Sequence, residues 1–380
     1  MCQDGSRRRL GYLAGGVTTL LLSVFTGETA GFQQQPEATV FYHRGKAYYQ
    51  KGDYENAIAD FSLAIKIKPD YAHAYLSRGN AYCDQRDYDL AIDDYTQALK
   101  LNPNDMTAYN NRGNAHLLKN DFEQALADFD QAIQLNPNLA QAYSNRGIAY
   151  THRGDYDRAI VDFAQAIKLN PRDAEAYYKR GKAYLYQNRL DNALADYNQT
   201  IKLQPNIAEA FSNRGYIYLK KAVYDSAIAD FTRALKRRPD LAEAYAGRGM
   251  AYAEKERFDR AIADYDRAIQ LKREKIIASQ NRGGDFLPTI KLKPEDAEIY
   301  YNRGRAYHAL GKFTRAIADY TQAINIKPSY AFVYFIRGTA YRDKGDKAKA
   351  VFDFMKVLEV TNEPIVRKRA QEELQGLGVN

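Results

Sequence analysis

The chain has 380 residues, with 55 lysines and arginines against 47 aspartates and glutamates, and a formal net charge of +8. The positive excess permits attraction to acidic surfaces, but charges of both signs are interspersed along the chain, so we interpret most of them as solvated helix faces. The two cysteines, Cys2 and Cys83, are far apart in the sequence and imply neither a disulfide framework nor a cysteine-based metal site.

The N-terminal segment differs in kind from the rest of the chain. Residues 7–9 are all arginine, and an uncharged run over residues 10–27 follows them. This is the layout of an export signal, and its apolar part suits a signal peptide better than a membrane-spanning helix. We predict an export signal or an uncleaved anchor over residues 1–30, tethered through 10–27, and a linker over 31–37. The protein would then be exported, periplasmic or membrane-anchored outside the cytoplasm; the alternative is a disordered tail on a cytoplasmic protein.

From Ala38 onward, a 34-residue period organises the sequence. An Arg-Gly pair recurs nine times, and only the step from Gly249 to Gly304 departs from the period. The pairs are Arg44-Gly45, Arg78-Gly79, Arg112-Gly113, Arg146-Gly147, Arg180-Gly181, Arg214-Gly215, Arg248-Gly249, Arg303-Gly304 and Arg337-Gly338. A period of this length indicates a solenoid, an array or a propeller.

Each repeat carries two runs of apolar residues with helical spacing. In the fourth copy, Tyr143 and Tyr150 mark the first run, and Ala159 and Ala166 mark the second. Pro171 ends the second run, because proline cannot donate a hydrogen bond inside a continuing helix. The pattern predicts a pair of helices in each repeat.

The aromatic, glycine, alanine and proline positions of the repeat resemble the tetratricopeptide repeat (TPR). The resemblance covers nine copies: residues 38–71, 72–105, 106–139, 140–173, 174–207, 208–241, 242–275, 297–330 and 331–364. It implies an all-α, right-handed superhelix (an α-solenoid) of stacked antiparallel helix pairs. The concave inner groove of such a superhelix is lined mainly by the first helix of each pair.

Two segments depart from this pattern. Residues 276–296 resemble a repeat that has lost its middle, and we predict a loop or a short helix continuation that locally disturbs the superhelix. Residues 365–380 are rich in Arg, Lys and Glu and predict a helix that caps the open end of the solenoid, followed by a short tail.

An aspartate follows each motif arginine after 16 residues, in all nine copies. These are Asp60, Asp94, Asp128, Asp162, Asp196, Asp230, Asp264, Asp319 and Asp353. We predict a ladder of Arg–Asp pairs that joins helices within a repeat or between repeats. The alternative is a set of arginines that bind phosphate, which is disfavoured because each arginine already has a candidate carboxylate. We also predict that each motif glycine permits close helix packing, and that most of the 32 tyrosines are core residues rather than a stacking surface for nucleic acid.

Polar residues on the first helices are the candidates for partner binding. Asparagine recurs before the motif arginine, as in a similar ladder in the TPR region of the O-linked N-acetylglucosamine transferases, although Lys179 and Gly247 interrupt it here. The asparagine amide can form hydrogen bonds with the backbone of an extended peptide. The alternative is that these amides are solvated or form hydrogen bonds within the helices. The predicted partner-binding residues are Asn80, Asn110, Asn111, Asn114, Asn145, Tyr178, Lys182, Asn213, Tyr301, Asn302 and Arg305.

No motif for catalysis, metal binding or a cofactor is present among the five histidines or elsewhere. We therefore predict a non-catalytic scaffold that binds extended segments or helices of one or more protein partners and needs no cofactor. The alternatives are a nucleic-acid-binding helical repeat and an accessory subunit of an envelope enzyme complex. In the favoured interpretation, joint substitution of Asn111, Asn145 and Asn213 weakens binding and leaves the thermal transition nearly unmoved.

Overall fold

A computed structural model describes residues 30–280 and 296–379, with side chains over 37–277 and 296–379, and within these ranges every regular element is an α-helix. Contacts divide the chain into two compact units, residues 1–189 and 190–380. Unit 1 contains α1 (Ala30–Gln50), α2 (Tyr54–Ile67), α3 (Ala72–Gln85), α4 (Tyr88–Leu101), α5 (Met106–Leu118), α6 (Phe122–Leu135), α7 (Ala140–His152), α8 (Tyr156–Leu169) and α9 (Ala174–Tyr186). Unit 2 contains α10 (Leu190–Leu203), α11 (Ala208–Lys220), α12 (Tyr224–Arg237), α13 (Ala242–Glu254), α14 (Phe258–Gln280), α15 (Ala297–Ala309), α16 (Phe313–Ile326), α17 (Ala331–Asp343), α18 (Lys347–Val360) and α19 (Pro364–Gly376).

Within each unit, every helix packs against the next one along the chain, as the predicted helix pairs require. The turn inside the fourth repeat shows how a pair forms. Gly154 has a left-handed φ of 77°, and the Asp155 side chain then accepts a hydrogen bond from the backbone N–H of Arg158. This side chain satisfies a backbone donor that the first turn of α8 leaves without a partner. The predicted all-α class is confirmed, and the handedness of the superhelix stays a prediction.

The motif glycine lets an aromatic ring of the second helix lie against the first helix. A Cβ atom added to Gly304 would be 2.6 Å from Cε1 of Tyr320, and one added to Gly147 would be 2.9 Å from Cε1 of Phe163. Neither distance leaves room for a methyl group. The ring positions hold fully buried phenylalanines and tyrosines, Tyr320 among them, which confirms that these tyrosines belong to the core.

The Arg–Asp ladder is present as a set of bidentate ion pairs. In the fourth repeat, Nε and Nη2 of Arg146 each donate to one carboxylate oxygen of Asp162, both at 2.7 Å. The side chain of Asp162 is 5% exposed and that of Arg146 is 20% exposed. The other pairs within a unit are Arg44–Asp60, Arg78–Asp94, Arg112–Asp128, Arg214–Asp230, Arg248–Asp264, Arg303–Asp319 and Arg337–Asp353. The ninth predicted pair has Arg180 in unit 1 and Asp196 in unit 2, and it stays a prediction.

The same arginines also contact the preceding repeat. Nη1 of Arg146 donates to Asp130, which lies 16 residues earlier on α6. The equivalent atoms of Arg78, Arg112, Arg214, Arg248 and Arg337 donate to Ser62, Thr96, Asn198, Thr232 and Thr321, each also 16 residues earlier. The ladder arginines therefore join the two helices of a repeat and, at these junctions, also join one repeat to the next. The sequence predicted contacts of one kind or the other, and both are present. Hydrogen bonding to the buried carboxylates raises the pKa of each paired arginine, so the guanidinium stays charged.

Helices α14 and α15, on either side of the segment between the seventh and eighth repeats, pack against each other as other neighbouring repeats do. Helix α14 continues as far as Gln280, which confirms a helix continuation over residues 276–280, and residues 281–295 lie outside the described part. Nη1 of Arg303 donates to Asp266, 37 residues earlier, and this separation is the usual 16 plus the 21 extra residues. Helix α15 therefore keeps the standard contact with α14, and the predicted local disturbance of the superhelix over residues 276–296 stays a prediction.

At the N-terminal end of the repeat array, the first helix is longer than the first helices of the other repeats. The linker predicted over residues 31–37 is instead part of α1, which extends back to Ala30 and includes Pro36. The signal or anchor predicted from residue 1 falls on residues 1–29, outside the described part. None of the helices in the described ranges is long and apolar enough to cross a membrane.

The C-terminal cap is confirmed. Helix α19 begins with Pro364 as its first residue, a position where the missing N–H costs nothing. Its buried residues Ala370 and Leu374 face the core that α17 and α18 also line. Arg342 of α17 pairs with Glu373, so polar contacts fix the cap as well.

The ladder predicts a strong coupling between Arg146 and Asp162. Because Asp162 is buried, Arg146→Ala leaves a carboxylate without its partner, and we expect unfolding free energy to fall by about 3 kcal/mol. Arg146→Ala, Asp162→Ala and the double variant, measured by urea denaturation, complete a double-mutant cycle. The exposed pair Arg153–Glu123, which also joins adjacent repeats, is the control and should show little coupling. Equal coupling energies for the two cycles would contradict the structural role of the ladder.

Candidate functional site

The predicted partner-binding residues all lie on the first helices of their repeats. They are Asn80 on α3; Asn110, Asn111 and Asn114 on α5; Asn145 on α7; Tyr178 and Lys182 on α9; Asn213 on α11; and Tyr301, Asn302 and Arg305 on α15. Their placement is the one that the repeat pattern predicts. Their surroundings differ between the two units.

In unit 1, asparagine side chains bond to one another across three repeats. Nδ2 of Asn111 donates to Oδ1 of Asn80 at 2.9 Å, and Nδ2 of Asn145 donates to Oδ1 of Asn110 at 3.1 Å. The Tyr95 hydroxyl also donates to Asn80. Asn110, Asn111 and Asn145 are each less than one tenth exposed. We call Asn80, Asn110, Asn111 and Asn145 the asparagine network.

In the asparagine network, amide groups that the sequence predicted to bind a protein partner form hydrogen bonds to other residues of this chain. A buried amide that lacks a partner costs free energy, and here neighbouring repeats supply the partners. Because Asn111 and Asn145 make these hydrogen bonds, we expect their substitution to lower the thermal transition as well as any partner binding. Whether these side chains also contact a partner stays a prediction, as it does for the half-buried Asn114, Tyr178 and Lys182.

In unit 2, the first helices of three consecutive repeats border a cavity of about 330 Å³, which we call the Gly247 cavity. Its walls come from α11, α13 and α15, and its floor from Phe231 of α12 and Tyr265 of α14. The lining residues are Ser212, Asn213, Tyr216, Phe231, Glu243, Ala246, Gly247, Met250, Tyr265, Lys272, Asp296, Glu298, Ile299 and Asn302. The predicted residues Asn213 and Asn302 therefore lie on the same cavity.

Gly247 explains why a ring lies at the floor of this cavity. It occupies the place that asparagine takes in four other repeats, just before the motif arginine. A Cβ atom at Gly247 would be 2.4 Å from Cζ of Phe231, so any larger residue would displace the ring. The sequence showed this glycine only as an interruption of the asparagine ladder, since its effect depends on the ring from the preceding repeat.

A second cavity, of about 640 Å³, adjoins the first and shares Tyr216, Met250, Tyr265, Glu298 and Asn302 with it. We call it the Arg305 cavity, and the two cavities together the unit 2 groove. Its other lining residues are Leu219, Lys220, Tyr224, Ala253, Glu254, Glu256, Phe258, Arg305, Ala306 and Ala309. The predicted residue Tyr301 lies beside it, where the Arg305 guanidinium covers its ring at 5.8 Å.

Carboxylates outnumber cations at the Gly247 cavity. The Lys272 ammonium is 3.1 Å from a Glu243 oxygen and 3.2 Å from an Asp296 oxygen. Burial raises the pKa of Glu243, but a backbone hydrogen bond and the charges of Lys272 and Lys275 outweigh burial and hold that pKa below its usual value. The third carboxylate, Glu298, is exposed and makes no ion pair with any described residue. Among the described residues that line the cavity, three are carboxylates and one, Lys272, is a cation.

Asn302 is the predicted residue best placed to meet a partner. It lines both cavities, is half-buried, and makes no side-chain hydrogen bond to the described part of the chain. Asn213 differs, because its Nδ2 donates to the Tyr197 hydroxyl at 3.3 Å. Sequence reasoning missed Tyr216, Met250 and Glu298, which both cavities share, because tyrosine and methionine there resemble core residues.

Nothing in the described ranges resembles a metal centre, since no three His, Cys, Asp or Glu side chains are grouped to hold an ion.

Comparison with models of known protein families identifies the repeats. Tetratricopeptide repeat models match residues 76–140 and 212–275, 113–180, 297–330 and 333–364, and a TPR repeat model matches 45–85 and 181–221. Together these matches cover more than half of the chain. The chain belongs to the tetratricopeptide repeat family.

Two solved structures similar to this TPR protein support the fold. A chain of the APC/C hetero-tetramer Cut9–Hcn1 is 13% identical, with a TM-score of 0.55 over 89% of this chain and 76% of that one. Pseudomonas aeruginosa pilF is 18% identical, with a TM-score of 0.51 over 56% and 96%. YrrB, described as a TPR protein with an unusual peptide-binding site, is 26% identical, with a TM-score of 0.42 over 50% and 97%. No curated protein matches the chain.

Repeats of this family form scaffolds for protein–protein interaction, and this TPR protein is such a scaffold in general terms. The site that would hold a partner, and the form of the partner, are matters for proposal.

The contrast between the two asparagine environments predicts different effects on stability. Asn145→Ala removes a donor to buried Asn110, and we expect unfolding free energy to fall by about 1–2 kcal/mol. Asn302→Ala, at the equivalent place before the motif arginine, should change it by less than about 0.5 kcal/mol. Urea denaturation of the two variants and the wild type measures both changes. A larger loss for Asn302→Ala would show that the bonding of these amides is misassigned.

Proposed function

We propose that this TPR protein captures an extended segment of a protein partner in the unit 2 groove. One observation carries the proposal: two contiguous cavities run across the first helices α11, α13 and α15. Small-molecule sites tend to be single, enclosed pockets. A groove that crosses three repeats suits a chain, because each repeat can contact a different residue of the partner.

The chemistry of the groove also suits a peptide backbone. The amide of Asn302 offers a donor and an acceptor, and it can bond to a peptide N–H or C=O without reading the side chain. Tyr216 and Met250 supply apolar contact area between the polar groups. Backbone bonds at the amides and apolar contacts between them would hold the segment, as in other modes of peptide recognition.

Unit 1 supports such capture less well. Its Asn111 and Asn145 already bond to Asn80 and Asn110, so a partner would have to compete with bonds that stabilise the fold. The proposal therefore assigns the main binding site to unit 2 and leaves the predicted residues of unit 1 a secondary role.

A nucleic acid is a less favourable ligand for the unit 2 groove than a peptide. Glu243, Glu254 and Glu298 line the unit 2 groove and would repel a phosphate backbone. The tyrosines that a stacking platform would need are partly covered by cations of this chain, such as Lys220 over the Tyr216 ring at 5.4 Å. Binding to single-stranded DNA with a steep salt dependence would reverse this preference.

Selection from a random peptide library tests the proposed site although the natural partner is unidentified. The full chain is the bait, and Kd values of the selected peptides are measured by fluorescence anisotropy. Tyr216→Ala with Asn302→Ala should weaken binding about tenfold or more, because it removes an aromatic contact and an amide from the groove. Tyr186→Ala, at an exposed tyrosine of unit 1, is the control and should leave Kd unchanged. Unchanged Kd values in the double variant would place the site elsewhere.

We also propose that the protein is exported or membrane-tethered, which rests on the three arginines at 7–9 and the uncharged run after them. A fusion of residues 1–37 to a β-lactamase that lacks its own signal should confer ampicillin resistance on a bacterial host. Ala14→Lys with Leu21→Lys should abolish resistance, because charge within the run blocks its insertion. Resistance that survives these two substitutions, or its absence from the first fusion, would argue for a cytoplasmic protein.

A further inference from the structure

We infer that the segment held in the unit 2 groove carries an apolar side chain flanked by lysine or arginine, with the apolar side chain in the Gly247 cavity. This inference rests on the proposed function and adds the chemical class of the partner. Its two halves come from separate observations, the shape of the Gly247 cavity and the charges around it.

The cavity selects an apolar side chain. Phe231 and Tyr265 form its floor, and Met250, Ile299 and Ala246 contribute apolar wall. Its volume of about 330 Å³ lies within the range of small ligand pockets in proteins. The polar groups that could bond to a peptide backbone, Asn213 and Asn302, stand on opposite sides on α11 and α15. A peptide crossing from one to the other would direct a side chain towards Ala246 and Met250 of α13, which lies between them.

The depth of the cavity depends on Gly247. Any side chain at this place on α13 would meet Phe231, as the 2.4 Å approach of an added Cβ shows. The Phe231 ring itself is only 1% exposed, so a partner's side chain would contact Tyr216, Ala246 and Met250, which line the same cavity.

The rim selects positive charge. Glu243 is exposed and contacts the Lys272 ammonium, and Glu298 is exposed without an ion pair in the described part of the chain. The adjoining Arg305 cavity continues the excess, with Glu254, Glu256 and Glu298 against Lys220 and Arg305. An acidic groove on a chain with net charge +8 would attract a basic segment and repel an acidic one.

Four labelled nine-residue peptides, identical except at three central positions, test the inference by fluorescence anisotropy on the full chain. The central residues are Lys-Leu-Lys, Lys-Ser-Lys, Glu-Leu-Glu and Ser-Leu-Ser. We expect the Lys-Leu-Lys peptide to bind about tenfold more tightly than Lys-Ser-Lys, because leucine is buried and serine gains nothing from an apolar cavity. We expect Glu-Leu-Glu to bind more weakly than Ser-Leu-Ser, with a difference that shrinks as salt is raised.

Two variants link the preferences to the groove. Ala246→Leu fills the cavity and should abolish the preference for Leu over Ser. Glu298→Lys reverses a rim charge and should weaken Lys-Leu-Lys about fivefold at low salt while sparing Ser-Leu-Ser. Glu175→Lys is the control, because Glu175 is exposed in the first turn of α9 as Glu298 is in that of α15, and it differs in its ion pair with Lys179. It should change neither Kd.

The outcomes separate this inference from the proposed function. Equal Kd values for the four peptides, or tighter binding of Glu-Leu-Glu, overturn the inference. If library-selected peptides still lose affinity in the Tyr216→Ala, Asn302→Ala variant, the proposed function survives that result. Loss of the leucine preference in Ala246→Leu counts only when its melting temperature matches the wild type; otherwise Glu298→Lys decides, since its side chain is exposed.

Discussion

The bidentate pair between a motif arginine and the aspartate 16 residues later is the interaction on which the rest of each unit depends. One guanidinium joins three helices: its own, the second helix of its repeat, and the second helix of the repeat before it. A carboxylate as buried as that of Asp162 is tolerated only with such a partner. The neighbouring glycine brings the two helices of a repeat close enough for the pair to form, and the aromatic ring then fills the space beside it.

Local sequence signals predicted the helix pairs, the cap and the ladder, because each depends on residues at fixed separations within one repeat. The contacts between repeats were harder to predict. Asn145 was identified as a binding residue from its position, but its bond to Asn110 depends on how α5 and α7 pack, which no local pattern encodes. Gly247 was seen only as a missing asparagine, since its effect requires Phe231 from the preceding repeat. The start of α1 was missed because a helix anchored by packing can extend into residues with no apolar pattern.

The two units use the same first-helix positions for different purposes. In unit 1, asparagines before the motif arginines bond to residues of the preceding repeat and add polar cross-links to the stack. In unit 2, glycine and the asparagine of the next repeat leave space and an amide at the groove. Asn213 of unit 2 also bonds to the preceding repeat, through the Tyr197 hydroxyl, so the amide left open at the groove is that of Asn302.

At the junction between α14 and α15, two neighbouring repeats make the usual contact although more residues than usual separate them along the chain. Arg303 finds Asp266 across 37 residues as other motif arginines find their partners across 16. Extra length at this point thus leaves the geometry of the neighbouring modules intact. The connection is a natural position for a grafted epitope, a reporter domain or a protease site, and a cut there would yield two fragments whose reassociation reports on the strength of a single interface.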